Sequence, residues 1–306
     1  MKASLLVLAS IFFAPVAKSQ PEVSPLLAVE KIKVLSWNIY MLPGFLGHGK
    51  IPRAEAIGQL LASSDYDVIV FQEAFHQKSR KMISRLLLES AYPFQAGPAN
   101  QKLFSLKTNS GIWIFSRLPI EDIHSIIFKT RHGMDAMSRK GALMAELKIN
   151  NNPLQIVGTH LQNSGGFWRR QSQCAEIYQR LLKQYQRPGV PQILCGDFNI
   201  NRYGSEDDYQ SMLQTLDAND EELRNEKRYS YDRTTNDLQV EPGKQRDLID
   251  YILIRANEAW AQSGERKVRV LQKRWHSVHQ DLSDHYSLET EISFQNPALY
   301  TVSIPK

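Results

Sequence analysis

Residues 192–199 read Gln-Ile-Leu-Cys-Gly-Asp-Phe-Asn. Gln192 to Cys195 has the apolar, β-favouring character of a short buried strand. Polar groups come directly after it: Asp197 and Asn199 stand where that strand emerges. A carboxylate and a carboxamide at the mouth of a buried strand are oxygen donors held on a rigid element. The same device recurs along the chain. Asn38 follows Val34-Leu-Ser-Trp37, Glu73 follows Val68-Ile-Val-Phe-Gln72, His160 follows Ile156-Val-Gly-Thr159, and Asp284-His285 precedes the last apolar run.

Outward from these points the chain alternates short β-branched runs with amphipathic stretches. Strands are predicted over Lys31–Trp37, Asp67–Gln72, Gly111–Ser116, Leu248–Arg255, Lys267–Gln272 and His285–Phe294. Ala142–Ile149 and Leu154–Thr159 read as a hairpin around Asn150-Asn151-Asn152-Pro153. Helical spacing marks Arg53–Ala62, Lys78–Ser90, Phe167–Gln186 and Glu206–Leu216. An α+β mixture of this kind buries all its runs when two sheets pack face to face with helices outside. Periodicity alone does not give that four-layer arrangement.

The chain has 306 residues, 42% of them hydrophobic. That is ample for one large packed domain, and no internal repeat or low-complexity tract divides it. Residues 1–19 read as a signal peptide: Lys2 is positive, Ala3–Ala17 is mostly apolar, and Ala17-Lys18-Ser19 is a small-x-small cleavage site. The expectation is an exported protein with one catalytic domain over residues 20–306. No later segment has the length of a membrane span. Export permits a disulfide between Cys174 and Cys195. Their settings, a helical pattern and an apolar strand, suit two buried free thiols equally, and the residues leave both readings open. The formal net charge of +5 suits phosphate-bearing partners, whether anionic lipid or nucleic acid.

Carboxylates, carboxamides and imidazoles at strand ends are what a hard-cation phosphate site requires. Mg²⁺ takes oxygen ligands, and histidine moves a proton near neutral pH. Singly, each residue has an ordinary structural reading. Asn38 suits a turn, Glu73 a helix start, Asp197 with Asn199 a turn around Phe198, Asp284 a cap, and His160 and His285 a satisfied core. Together, in this order, they form a pattern. The blocks Asn-Ile-Tyr-Met-Leu-Pro (38–43), Phe-Gln-Glu-Ala-Phe (71–75), Gly-Thr-His-Leu-Gln (158–162), Gly-Asp-Phe-Asn (196–199), Leu-Ile-Asp-Tyr-Ile-Leu-Ile (248–254) and Ser-Asp-His-Tyr-Ser-Leu-Glu (283–289) resemble the signatures of the endonuclease/exonuclease/phosphatase superfamily. The resemblance runs from about Lys31 to about Phe294. Three features are similar to its neutral sphingomyelinase branch. They are the Tyr40-Met-Leu-Pro43 continuation, Asp135 followed five residues later by Lys140-Gly141, and Tyr231-Asp-Arg-Thr-Thr-Asn236.

The resemblance implies a DNase-I-like αββα sandwich and Mg²⁺-dependent hydrolysis of sphingomyelin to ceramide and phosphocholine, with Mn²⁺ or Co²⁺ as substitutes. It implies Glu73 as the principal metal carboxylate, with Asn38 beside it as ligand or through water. His285 takes the proton from water, and Asp284 orients that ring or helps hold the site. Asp197 and Asn199 position water and phosphate, His160 donates to a phosphoryl oxygen, and Asp135 and Lys140 act at the substrate. The roles of Asp197 and Asp284 are exchangeable on this reading. The expected partner is a phospholipid in a membrane, met by peripheral contact, with no stable nucleic acid partner and a monomeric protein. Rivals are a secreted nuclease or a phosphoinositide phosphatase on the same scaffold, and a catalytically dead membrane-binding protein.

The chain also departs from the pattern. Thr108, Asn109 and Gln77 stand where some relatives keep ligands for a peripheral metal. Residues 270–281 replace a long aromatic hairpin and hold Trp275 as their one large aromatic residue. The relatives' cysteine pair is absent from its usual place. Met41–Leu46 and Phe167-Trp168 are further candidates for lipid contact, although the core face of the long helix is the preferred place for Phe167 and Trp168.

Overall fold

The computed structural model describes residues 31–294 except 45, 102–106, 132, 134–136, 150–151, 240–242 and 256–260, and for 261–263 the backbone alone. The predicted signal peptide, Asp135, Phe45 and the tip of the 142–159 hairpin lie outside the described residues. Two mixed sheets face each other. The first contains β1 (Lys31–Met41), β2 (Val68–Ala74), β3 (Phe94–Ala96), β4 (Trp113–Ser116) and three strands from the end of the chain, β12 (Ala261–Ser263), β13 (Lys267–Arg269) and β14 (Ser287–Phe294). Its order is β12-β14-β1-β2-β4-β3, with β13 also pairing β14. The second contains β5 (Ile120–Ile127), β6 (Gly141–Ile149), β7 (Asn152–His160), β8 (Gln192–Asp197) and β11 (Asp250–Arg255), in the order β11-β8-β7-β6-β5. A small ribbon, β9 (Tyr231–Asp232) with β10 (Arg246–Asp247), stands apart from both.

Side-chain alternation along the strands sorts the apolar residues into three layers. Val34, Val70 and Ile114 of the first sheet meet Ala145, Ile156, Ile193 and Ile252 of the second between the sheets. Leu35, Trp37, Ile69 and Phe71 point the other way, against α1 (Lys50–Ala62) and α2 (Gln77–Leu88). Met144, Val157, Leu194 and Leu253 do the same against α3 (Phe167–Ile177) and α4 (Glu206–Leu216). Three apolar layers between two sheets and two helical covers make the expected αββα sandwich. Among the described residues no helix is long and apolar enough to cross a membrane.

Several boundaries differ from the sequence expectation. β1 continues past Trp37 to Met41, carrying Asn38 on the strand itself. The long helix ends at Ile177 and continues as a π-helical turn over Tyr178–Leu182. The strand expected over Lys267–Gln272 is three residues long. β5 escaped notice because it is an edge strand whose mixed residues are largely half-exposed. Cys195 lies in the layer between the sheets and Cys174 on the buried face of α3. Both are free thiols, and burial pushes that of Cys174 up to about 12.

Two parallel pairs decide where polar groups emerge: β1 with β2, and β7 with β8. β7 and β8 approach closely at Gly196, where an added Cβ would lie 2.1 Å from the Thr159 carbonyl oxygen. The next pair in register is His160 with Asp197. Gly196→Ala is therefore expected to force the two strand ends apart and to cost about 1–3 kcal/mol of stability, the usual range for overpacking. An unchanged urea midpoint would contradict this tight approach.

Candidate active site

Strand register assembles the site. In the second sheet His160 of β7, Asp197 of β8 and Asp250 of β11 lie side by side. From the first sheet, Asn38 sits on β1 opposite Gln72 of β2, and Glu73 is the next residue. His285 enters just before β14, anchored by the Trp37 indole, which donates to its carbonyl at 3.0 Å. The Ser283 hydroxyl donates to the Asn38 carbonyl at 2.5 Å and ties the same turn to β1. Tyr40, Glu73 and Asn199, all at this mouth, have positive φ of 50°, 56° and 52°. Non-glycine residues adopt that region at a cost, and such strain concentrates at functional sites.

Glu73, His160, Asp197, Asn199 and His285 line one pocket of about 570 Å³, together with Tyr40, Lys140, Arg170, Asn201, Tyr231, Asp247 and Asp284; Asn38 bonds to Asp197 and Asp250 to His285. Asp197 lies at its centre. Its Oδ2 accepts from Asn38 Nδ2 at 3.2 Å and lies 3.5 Å from His160 Nε2 and 3.8 Å from His285 Nε2. Its Oδ1 accepts the Asn199 backbone N–H at 3.0 Å. The Asn38 carboxamide oxygen accepts from Tyr40 N–H at 3.2 Å. Lys140 is buried and donates to the Leu161 carbonyl at 2.9 Å, which the Asn199 amide also reaches at 3.2 Å.

The orienting carboxylate is not Asp284. Nδ1 of His285 pairs with Asp250 Oδ2 at 2.9 Å, so the ring is held by the first residue of β11. Asp284 points into the pocket, where its charge acts on Glu73, Tyr40 and Tyr231. Asp250 is not among the residues singled out from the sequence; the available signal is an acidic residue inside the apolar run 248–254, where it opens β11.

Burial and like charge dominate the electrostatics. Burial first, and the Asp284 carboxylate second, push Glu73 up to about 8. Burial and then Asp250 raise Asp197 to about 7. Asp284 is raised chiefly by burial. Burial alone would strip His285 of its proton, but Asp250, Asp197 and Asp284 outweigh it and raise this ring well above the ordinary histidine value. His160 goes the other way. Burial, then Lys140 and His285, lower it far enough to keep the ring neutral.

Two observations fit a cation. Glu73 Oε2 is buried and has no hydrogen-bond partner among the described residues, and its neighbour Asp284 repels it. An oxygen-seeking divalent ion answers both. Asp197, Asp250 and His285 also place ligand atoms within 4.8 Å of one another, so this cluster too has the composition of a metal site. Its Nδ1–Asp250 hydrogen bond, however, already occupies one imidazole nitrogen and suits a proton carrier.

Residues 35–285 match the Endonuclease/Exonuclease/phosphatase family. The chain belongs to that family. It is 28% identical to sphingomyelinase C of Bacillus cereus over 87% of this chain and 90% of that protein. The crystal structure of SmcL superposes with a TM-score of 0.76 at 25% identity, covering 87% of this chain and 99% of that one. Staphylococcus aureus beta toxin, in a crystal structure of a mutant with bound magnesium ions, gives 0.77 at 23% identity over 85% of this chain and 99% of its own. The fold is thus the DNase-I-like one, and the bacterial sphingomyelinase resemblance holds.

This family member keeps its own features outside the pocket. Asn109 accepts the Gly111 N–H at 2.8 Å, a turn-forming role. Phe167 packs on the core beneath α3, as preferred, but Trp168 does not: it is 61% exposed with Arg169 stacked on its ring at 4.3 Å. Trp275 is half-buried, donating to the Asp281 carbonyl at 2.8 Å and stacking on His279. If Asp250 holds the proton on His285, Asp250→Asn should lower the pH at which the ring titrates, since burial opposes its charge and only Asp197 and Asp284 remain to support it. NMR titration of the metal-free protein measures this, and an unshifted titration would remove Asp250 from that role.

Proposed function

We propose that this protein, a phosphoric diester hydrolase by family and relatives, cleaves sphingomyelin to ceramide and phosphocholine at the surface of a membrane, with Mg²⁺. The observation that carries the reading is the unpartnered, buried Glu73 oxygen in the same pocket as the Asp250-held imidazole of His285. One phosphodiester can touch both. The similarity to bacterial sphingomyelinases supports the choice of substrate, and export by the predicted signal peptide would bring the protein to it.

Glu73 and Asn38, with Asp284 beside them, would hold the cation. Bound there, Mg²⁺ supplies positive charge for the phosphoryl oxygens and lowers the proton affinity of His285. His285 accepts the proton of the attacking water at Nε2 as the water oxygen bonds to phosphorus and the bond to the ceramide oxygen breaks; that alkoxide takes a proton from solvent, while Asp250 holds the opposite nitrogen and stabilises the ring as it charges. His160 is neutral and donates an N–H to a phosphoryl oxygen. Asp197 and Asn199 orient the water and the phosphate. Lys140, buried at the pocket wall, adds positive charge where negative charge builds. Asp135 is assigned to the substrate on the sequence resemblance alone. Exposed Trp168 and Leu46 are suited to shallow lipid contact.

His285→Ala is expected to lower phosphocholine release from sphingomyelin liposomes by about 10²-fold or more, the usual worth of a general base. Chelation should abolish release and Mg²⁺ restore it. Cleavage of plasmid DNA in place of sphingomyelin would instead favour the nuclease, and liposome binding without product would favour a dead scaffold. A second expectation concerns Glu73. Its carboxyl keeps a proton up to pH about 8, and ligation requires the carboxylate. Mg²⁺ affinity should therefore rise with pH up to about 8 and level off above, with proton release on binding at pH 7. Calorimetry in buffers of different ionisation enthalpy would detect that proton; its absence would count against Glu73 as ligand.

A further inference from the structure

One wall of the pocket has no part in the mechanism above. The β9–β10 ribbon pairs Tyr231 with Asp247 in register, and both residues line the cavity with Gln245. The Tyr231 ring lies 5.1 Å from the His285 ring, and its hydroxyl donates to Gln239 Oε1 at 3.0 Å. That bond fixes the ring beside the reacting centre. Asp247 is held by neutral groups: Oδ1 accepts from the Asn201 amide and Oδ2 from the Gln245 amide, each at 2.6 Å. These bonds position its negative charge without neutralising it. A fixed aromatic ring and a fixed carboxylate, on the same wall as the proton acceptor, are the two components that attract a soft organic cation.

We infer that Tyr231 and Asp247 form the subsite for a quaternary ammonium group on the substrate. This deepens the sphingomyelin reading and rests on it. The class of cation follows from the chemistry. A quaternary ammonium has no N–H to place, so it asks only for charge and a ring face. A primary ammonium instead needs up to three converging hydrogen-bond acceptors, and each Asp247 oxygen already spends one of its two lone pairs on an amide. Tyr231 and Asp247 are thus specificity-determining residues, acting on the end of the headgroup remote from the phosphorus.

The test compares kcat/KM on vesicles of three ceramide phosphodiesters. These carry choline, its uncharged carbon isostere 3,3-dimethylbutanol, or ethanolamine. Wild type should prefer choline to the uncharged isostere by about tenfold or more, the scale of a desolvated cation–π contact. Asp247→Asn should shrink that preference several-fold. Tyr231→Leu should also shrink it, while Tyr231→Phe, which keeps the ring, should retain it. If Tyr231→Leu fails to fold, the near-isosteric Asp247→Asn and the wild-type comparison still decide. Equal wild-type hydrolysis of the choline and uncharged lipids overturns the subsite alone. So does an unchanged preference in Asp247→Asn. A wild type that releases no phosphocholine, yet cleaves another phosphodiester, overturns the sphingomyelin reading and the subsite with it.

Discussion

The carboxyl groups of Glu73, Asp197 and Asp284 crowd into a pocket that also holds His160, His285, Lys140, Arg170 and Asp247, and Asp250 stands directly against the His285 ring. Everything distinctive about the site follows from that enforced proximity of like charges. Burial raises Glu73, Asp197 and Asp284, and nearby like charge raises Glu73 and Asp197 further. The fold tolerates the arrangement because the groups sit at strand ends whose positions are set by apolar packing elsewhere. The three apolar layers hold β1, β2, β7, β8 and β11 in register, and the polar residues beyond them have no other place to go.

The crowding divides the site into two halves with different chemistry. On the β11 side, Asp250 is engaged by His285 and makes that ring a strong proton acceptor. On the β2 side, Glu73 Oε2 has no hydrogen-bond partner among the described residues; the Lys140 and His285 charges offset only part of the cost of burial, and a proton or an external cation relieves the rest. Asp197 lies between the two imidazoles, its oxygens held by Asn38 and Asn199. His160 stays neutral although carboxylates surround it, because complete burial and the nearby Lys140 and His285 charges outweigh them. Polar residues at strand ends thus become an unpartnered buried carboxyl oxygen, an imidazole of raised proton affinity and a neutral imidazole. Neighbours within a few ångströms make the difference.

The periphery departs from what the family pattern suggests. Residues 272–281 form a short turn-back with Trp275 folded toward the body, its ring lying against Gly49. Trp168 instead stands exposed at the start of α3. Exposed apolar side chains thus stand both at the start of α3, in Trp168, and on the turn-back, in Val278.

How much was legible depends on the range of each interaction. Strand ends, the α+β character and the residues Asn38, Glu73, His160, Asp197, Asn199 and His285 were readable, because local alternation and flanking apolar runs show where a polar group leaves the core. Lys140 was readable from its pairing with Asp135 in the resemblance. The partner of His285 was not. Asp250 and Asp284 are both acidic residues next to a late strand, and only the antiparallel register of β11 with β8 brings Asp250 to the ring and leaves Asp284 facing Glu73. Nor could the residues decide between a disulfide and two free thiols, since that depends on which side of the second sheet each thiol points. Sequence by itself determined which side chains emerge from the core and their chemical kinds, because that is written in short-range pattern. Tertiary structure alone decided which of them meet and hence which proton or cation each one holds, because charge interactions depend on distances between residues far apart in the chain.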